Sequence, residues 1–147
     1  MLIHQATLED IPELCSLLAI LFEQEIEFQP DSENQTKGLQ LLLNQPELGL
    51  ILVARDDQQL LGMVSVLFSV STALGGRVAI IEDMVVLPTA RGSGIGSALL
   101  NAAINTAQTH GCHRISLLSD STNTAAHCFY EKQGFSRSQM AVFRRLF

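Results

Sequence analysis

The spacing of apolar positions changes several times along the chain, and each change predicts an element. Leu2 to Ala6 reads as a first strand. Thr7-Leu8-Glu9-Asp10 has the Ser/Thr-x-x-acid form of a capping box, and it opens a helix whose Ile11, Leu14, Cys15, Leu18, Leu21 and Phe22 form one apolar stripe. Pro12 must lie near the first turn, where its missing N–H belongs to the unpaired set, so either Thr7 or Asp10 is the N-cap. Pro30 breaks the chain before a second, weaker helix through Leu39, Leu42 and Leu43, which stops before Pro46. Then come the apolar runs Leu48 to Ala54, Leu60 to Val70 and Val78 to Leu87, separated by Asp56-Asp57-Gln58-Gln59 and by Ser71-Thr72-Ala73-Leu74-Gly75-Gly76. These separators are turn compositions, and the runs predict an antiparallel meander.

Between Pro88 and Ser97 the pattern switches from strand to helix across Gly92, Gly94 and Gly96. Ala98, Leu99, Leu100, Ala102, Ala103, Ile104 and Ala107 then recur at helical spacing, which predicts a helix from about Ile95 to His110 with Gly111 as its C-cap. His113 to Ser119 follows as a strand, which should pair parallel to the run before the corner, since strand-helix-strand units cross over within one sheet. Asn123 is a good N-cap for a last helix, Thr124 to Gln133, ended by Gly134, and Met140 to Phe147 reads as short strand material. The order β-α-α-β-β-β-α-β-α-β describes an α/β fold: one mixed, mostly antiparallel sheet flanked by helices.

A length of 147 residues fits a single domain, here 1–147, large enough to bury roughly 68–70 % of its unfolded surface. The three cysteines, Cys15, Cys112 and Cys128, form no framework, and no leader or bilayer-length apolar run stands out, so free thiols in a reducing cytoplasm are expected. Fifteen acids against nine bases give a net charge of -6, which argues against a nucleic-acid surface and favours a cationic or small polar partner. Five of those acids (Glu23, Glu25, Glu27, Asp31 and Glu33) fall in one stretch without a base, either a solvated loop or, if it faces the glycine corner between Pro88 and Ser97, a wall that attracts a cationic substrate.

A strand-to-helix corner rich in glycine suits an anion, because the first N–H groups of the helix lack partners and carry the positive end of its dipole. Arg91 adds a fixed charge beside it. A P-loop would need a lysine after its last glycine, and a dinucleotide fingerprint a third glycine where this chain has Ser97. Cys112-His113 and His110 lack zinc-site spacing, no metal is expected, and Cys128 reads as an inert buried thiol.

Arg91-Gly92-Ser93-Gly94-Ile95-Gly96 resembles the Arg/Gln-x-x-Gly-x-Gly/Ala signature of the GNAT superfamily of acyl-CoA N-acyltransferases. Glu82-Asp83-Met84-Val85-Val86-Leu87-Pro88 is similar to that family's fourth strand, and Phe129 to Phe135 to its F-Y-x-x-x-G-F segment, with Asn123 upstream. The resemblance implies the GNAT fold and acetyl-CoA as co-substrate, its pyrophosphate cradled by Arg91, Gly92, Ser93, Gly94, Ile95, Gly96 and Ser97. It implies further coenzyme contacts from the backbones of Met84, Val85 and Val86, and from Asn123 and Ala126. Tyr130, the only tyrosine, matches the acid that protonates the leaving thiolate. Glu82 becomes the candidate base or water-relay anchor, and Asp83 a candidate acceptor ligand together with Glu27. On a regular strand Glu82 and Asp83 would face opposite ways, and both reach one cleft only if the strand bulges.

A base is wanted because freeing an amine of pKa about 10.4 at pH 7 costs about 4.6 kcal/mol. The expected reaction is direct transfer of acetyl from acetyl-CoA to a small cationic amine. A protein N-terminus or lysine is the alternative acceptor, and a non-catalytic acyl-CoA-binding sensor the alternative class. The resemblance also implies a homodimer; no membrane or nucleic-acid partner is expected.

Overall fold

The structure is a computed structural model that describes residues 1–147. Strand β1 (Leu2–Gln5) leads through a 3-10 turn at Leu8–Asp10 into α1 (Ile11–Gln24). Both expected caps are used in succession: the Thr7 N–H donates to Asp10 Oδ2 at 2.8 Å, and Asp10 then precedes α1, with Pro12 in its first turn. Arg55 Nη2 donates to Asp10 Oδ1 at 2.9 Å and to Glu13 Oε1 at 2.8 Å, while Glu13 Oε2 accepts the Leu60 N–H at 2.7 Å. Burial alone would raise the Asp10 carboxyl, but the Thr7 N–H and the Arg55 guanidinium together hold it below its ordinary value.

Asp31 caps α2 (Ser32–Leu43) by accepting the Asn34 N–H at 3.1 Å. The meander follows as β2 (Gly49–Arg55), β3 (Leu60–Ser71) and β4 (Gly76–Val86). Helix α3 (Ile95–Thr109), β5 (Ile115–Leu117) and α4 (Thr124–Lys132) complete the fold. The sheet order is β1-β2-β3-β4-β5, antiparallel throughout except for the parallel β4–β5 pair. The mixed, mostly antiparallel sheet flanked by helices is therefore as the pattern predicts. No helix is long and apolar enough to cross a membrane.

Each face of the sheet carries its own core. Ile95, Leu99, Leu100, Ala103 and Ala107 of α3 pack on Leu52, Val64, Val66, Ala79 and Ile81, and Leu14, Leu17, Leu18 and Leu39 of α1 and α2 pack on Ile51, Val53, Met63 and Val85. Leu99 is wholly buried in the first turns of α3 and seats the helix whose N-terminus forms the glycine corner. Leu99→Ala is expected to destabilise the fold by about 2–5 kcal/mol, read as a lowered midpoint of urea unfolding at unchanged slope.

Two expectations need correction. β5 spans Ile115–Leu117 rather than His113 to Ser119, because β4 and β5 pair only from Ala79↔Ile115 to Ile81↔Leu117 and then part. The residues from Met140 to Phe147 form no strand: their apolar side chains stand in solvent, Met140 89 % and Phe143 95 % exposed. Arg144 instead bonds Glu27, and its guanidinium lies over the Phe28 ring, 5.6 Å from the ring centre. Strand propensity yields a strand only where a neighbour supplies the ladder, and here none does.

Candidate active site

Parallel pairing between β4 and β5 stops at Ile81, and beyond it the edge of β4 that faced β5 has no strand beside it over Glu82 to Val86. The opposite edge stays on β3, but with a bulge: Val64 pairs with Met84 and Val66 with Ile81, so Glu82 and Asp83 together face Ser65. The consequence for side chains is visible in the cores. Ile81 belongs to the α3 face and Val85 to the α1 face, although residues four apart on a regular strand share a face. With the alternation reset between them, Glu82 and Asp83 reach the same cleft, the condition set by the sequence.

That cleft, about 2350 Å³, lies among the end of α1, the loop after it, β4, β5, α4 and the segment beyond Gly134. Glu82, Asp83, Met84, Asn123, Ala126 and Tyr130 line it, and so do Glu25, Glu27 and Asp120. Burial first, then the Glu82 charge, pushes the Asp83 carboxyl up to about 6, against a lowering by the Ser65 hydroxyl. Glu25 is raised by burial and then by the charges of Asp83, Asp120 and Glu82, which ties these four carboxylates to one region. Burial and then Glu25 raise the Tyr130 hydroxyl, so Tyr130 keeps its proton through neutral pH. Its ring rests against Phe129 and Phe135, with centres 5.3 and 6.0 Å apart.

Glu25, Glu27 and Asp31 line the cleft, but Glu23, Glu33 and the glycine corner do not, so the condition set for an acidic wall, that the stretch face the corner, is not met. The acids of the stretch differ in role: Glu33 pairs with Lys37 at 2.9 Å, Asp31 caps α2, and Glu27, expected to meet substrate, is bonded to Arg144. Glu25 has no ion-pair partner within the salt-bridge distance, and Asp120, in the loop before α4, offers its carbonyl to the Asn123 N–H at 3.0 Å. Neither Asp120 nor Ser65 was singled out by the sequence, although a serine inside the apolar run Leu60 to Val70 was a signal. Cys128, expected to be buried, is exposed on α4 and does not line the cleft.

At the corner, Gly92 and Gly94 adopt φ of 77° and 84°, and a side chain added at either would meet nothing within 4 Å. The left-handed turns aim the chain so that Gly94 caps α3, leaving the N–H groups of Ile95, Gly96 and Ser97 without helical acceptors. Arg91 Nε donates to the Val86 carbonyl at 3.2 Å and Ser93 Oγ to the Ala90 carbonyl at 2.6 Å, bracing the loop. The loop is joined to the cleft by α4: Gln133 Nε2 donates to Ser97 Oγ at 3.1 Å, and a Cβ on Gly96 would lie 3.5 Å from Phe129 and 3.9 Å from Met84. Asn123 caps α4 by accepting the Ala126 N–H at 3.2 Å, an ordinary structural role.

The chain is 27% identical over 144 residues to an aminoalkylphosphonate N-acetyltransferase of Salmonella typhimurium, covering 98% of this chain and 90% of the relative. It is 32% identical over 102 residues to an aminoglycoside N(6')-acetyltransferase type 1 of Klebsiella aerogenes, covering 68% and 67%. Among solved structures, an aminoglycoside 6'-N-acetyltransferase of Acinetobacter haemolyticus superposes with a TM-score of 0.82 at 20% identity, over 100% of this chain and 99% of that one, a likeness of fold. The acetyltransferase (GNAT) family model matches residues 12–135, from the first turn of α1 to the Phe135 that packs on Tyr130, and on that match the chain belongs to the GNAT family of acetyltransferases.

Proposed function

We propose that the chain moves an acetyl group from acetyl-CoA to the primary amine of a small cationic acceptor by direct attack. The observation that carries this reading is the convergence of Glu25, Glu82, Asp83 and Asp120 on a cleft that also holds a protonated Tyr130. The unpaired N–H groups of Ile95, Gly96 and Ser97, with Arg91 beside them, suit a pyrophosphate, and the free edge of β4 over Met84 to Val86 suits the amides of an extended pantetheine arm. Bound acetyl-CoA supplies the acetyl group as an activated thioester.

In this reading Asp83, rather than Glu82, takes the amine proton, because Asp83 is the carboxylate lifted to about 6 and Glu82 is exposed. As the amine nitrogen bonds to the acetyl carbon, the carbon–sulfur bond breaks and Tyr130 gives its phenolic proton to the sulfur; the nitrogen's second proton then returns to the Tyr130 phenolate, leaving amide, thiol and one proton on Asp83 to be released to water. Taking a proton from an ammonium of pKa about 10.4 onto a carboxylate of about 6 is uphill by about 6 kcal/mol. A turnover of ~10 per second allows a barrier of about 16 kcal/mol, so this step fits within it. Glu25, Glu82 and Asp120 hold the cation.

Thiol release from acetyl-CoA, followed against a panel of diamines, amino sugars, aminoalkylphosphonates and peptides, tests the reading. Small cationic amines are expected to turn over best, and Glu25→Gln to raise their KM about three- to tenfold without changing the KM for acetyl-CoA. Turnover with peptides alone would sink the small-amine reading. Tight coenzyme binding with no turnover on any acceptor would favour a sensor.

A further inference from the structure

We propose that Ser65 is a positioning residue for acetyl transfer: its buried hydroxyl holds both the backbone N–H and the carboxylate of Asp83, and so keeps that carboxylate turned into the cleft. The inference rests on the reading of Asp83 as proton acceptor. Ser65 is only 1 % exposed, in the middle of a strand that is otherwise apolar there, between Val64 and Val66. A hydroxyl in such a place is costly unless bonded. Both of its bonds go to one residue: it accepts the Asp83 N–H at 2.9 Å and lies 3.3 Å from Asp83 Oδ2, to which it donates.

The β4 bulge explains why a side chain does this. With two residues of β4 opposite one of β3, the Asp83 N–H leaves the regular ladder, and Ser65 Oγ takes the place of a backbone carbonyl. Having accepted that N–H, the hydroxyl still has its own hydrogen for the carboxylate, which a carbonyl would lack. Backbone and carboxylate of Asp83 are thus tied to the same oxygen, fixing the side-chain torsion. Of the charged and titratable groups lining the cleft, Glu82 on the same strand acts on Asp83; Asp83, Glu82, Asp120 before α4 and Arg144 beyond α4 act on Glu25; and Glu25 acts on Tyr130, while Glu27, Asp31, Arg114, His127, Glu131 and Arg137 line it elsewhere. Against burial and the neighbouring Glu82 charge, Ser65 is the group that favours the ionised carboxylate.

The test compares Ser65→Ala, Ser65→Thr and Asp83→Asn by rate against pH, and follows the Asp83 carboxyl by carbon-13 NMR in the free protein, which needs no acceptor. Ser65→Ala is expected to lower kcat/KM roughly tenfold to a hundredfold at pH 7 and leave the KM for acetyl-CoA unchanged. The acid limb and the NMR midpoint should both move upward by about half a pH unit or more, and Ser65→Thr should restore most of both. If Ser65→Ala does not fold, Ser65→Cys, with a weakly bonding thiol of similar size, must show the same displacement. A wild-type acid limb and midpoint in the alanine or cysteine variant, beside an inactive Asp83→Asn, overturns the Ser65 proposal alone. A fully active Asp83→Asn removes the proton-acceptor reading on which it rests.

Discussion

Replacing Tyr130 with phenylalanine is expected to lower kcat by about 10²- to 10⁴-fold while leaving acetyl-CoA binding and thermal stability close to those of the parent. The ring is held by Phe129 and Phe135, contacts that phenylalanine keeps, so the substitution removes only the hydroxyl. Burial and the Glu25 charge both disfavour the phenolate, and the proton is therefore present whenever a thiolate is about to leave. Against a thiolate of pKa near ~8.5, transfer from a phenol above 10 costs a few kcal/mol, small beside the barrier it relieves. In the parent enzyme the fall in kcat/KM caused by loss of this proton should lie above the ordinary tyrosine range; in Tyr130→Phe that fall should be absent. Equal turnover of the two proteins at every pH would end the assignment. Isothermal titration with coenzyme A separates the outcomes, because a packing defect would weaken binding and melting together.

What the sequence could reveal followed from how local its signals are. Thr7, Asp10, Asn123 and Gly111 act within a turn of their own position, and the elements they bound fall where the pattern put them. The apolar runs of the meander are similarly self-declaring, since every second residue must face a core. The β4 bulge is different in kind. It is a mismatch of register with β3, and no residue of Val78 to Leu87 announces it; only the change of face between Ile81 and Val85 reveals it. The same holds for Glu25 and Asp120, about a hundred positions apart in the chain, which come to share one cleft through tertiary packing. Composition marked Glu23 to Glu33 as one acidic stretch but could not sort it. The sorting depends on Lys37, Arg144 and the α2 cap, each of which occupies one acid; of the remaining two, Glu25 lines the cleft and Glu23 does not. The missing terminal strand has the same origin, for a ladder is a property of two segments.

Asp83→Asn should make the protein more stable and nearly inactive at once. An aspartate ordinarily ionises near 3.8, and the folded protein holds Asp83 at about 6, so the native state keeps a proton that the unfolded chain has already released. The sign follows from that order. Below about 3.8 both states are protonated and the group costs nothing; as pH rises toward 6 the unfolded state gains from ionisation while the native state does not. Above 6 the full cost is present, on the order of 3 kcal/mol at pH 7. Asparagine removes the charge and can still bond the Ser65 hydroxyl, so the variant's unfolding free energy should exceed the parent's at pH 7 and converge with it near pH 4. Activity should run the other way, with kcat/KM down about 10²- to 10⁴-fold at pH 7. In the parent, kcat/KM should fall as pH drops below about 6, where Asp83 holds a proton and cannot accept another. Urea unfolding and initial rates, measured on both proteins from pH 4 to pH 8, read the two effects side by side. A stability gap that does not change with pH would mean that Asp83 is not carrying an ionisation cost, and the buried carboxylate would then lose its claim to the proton.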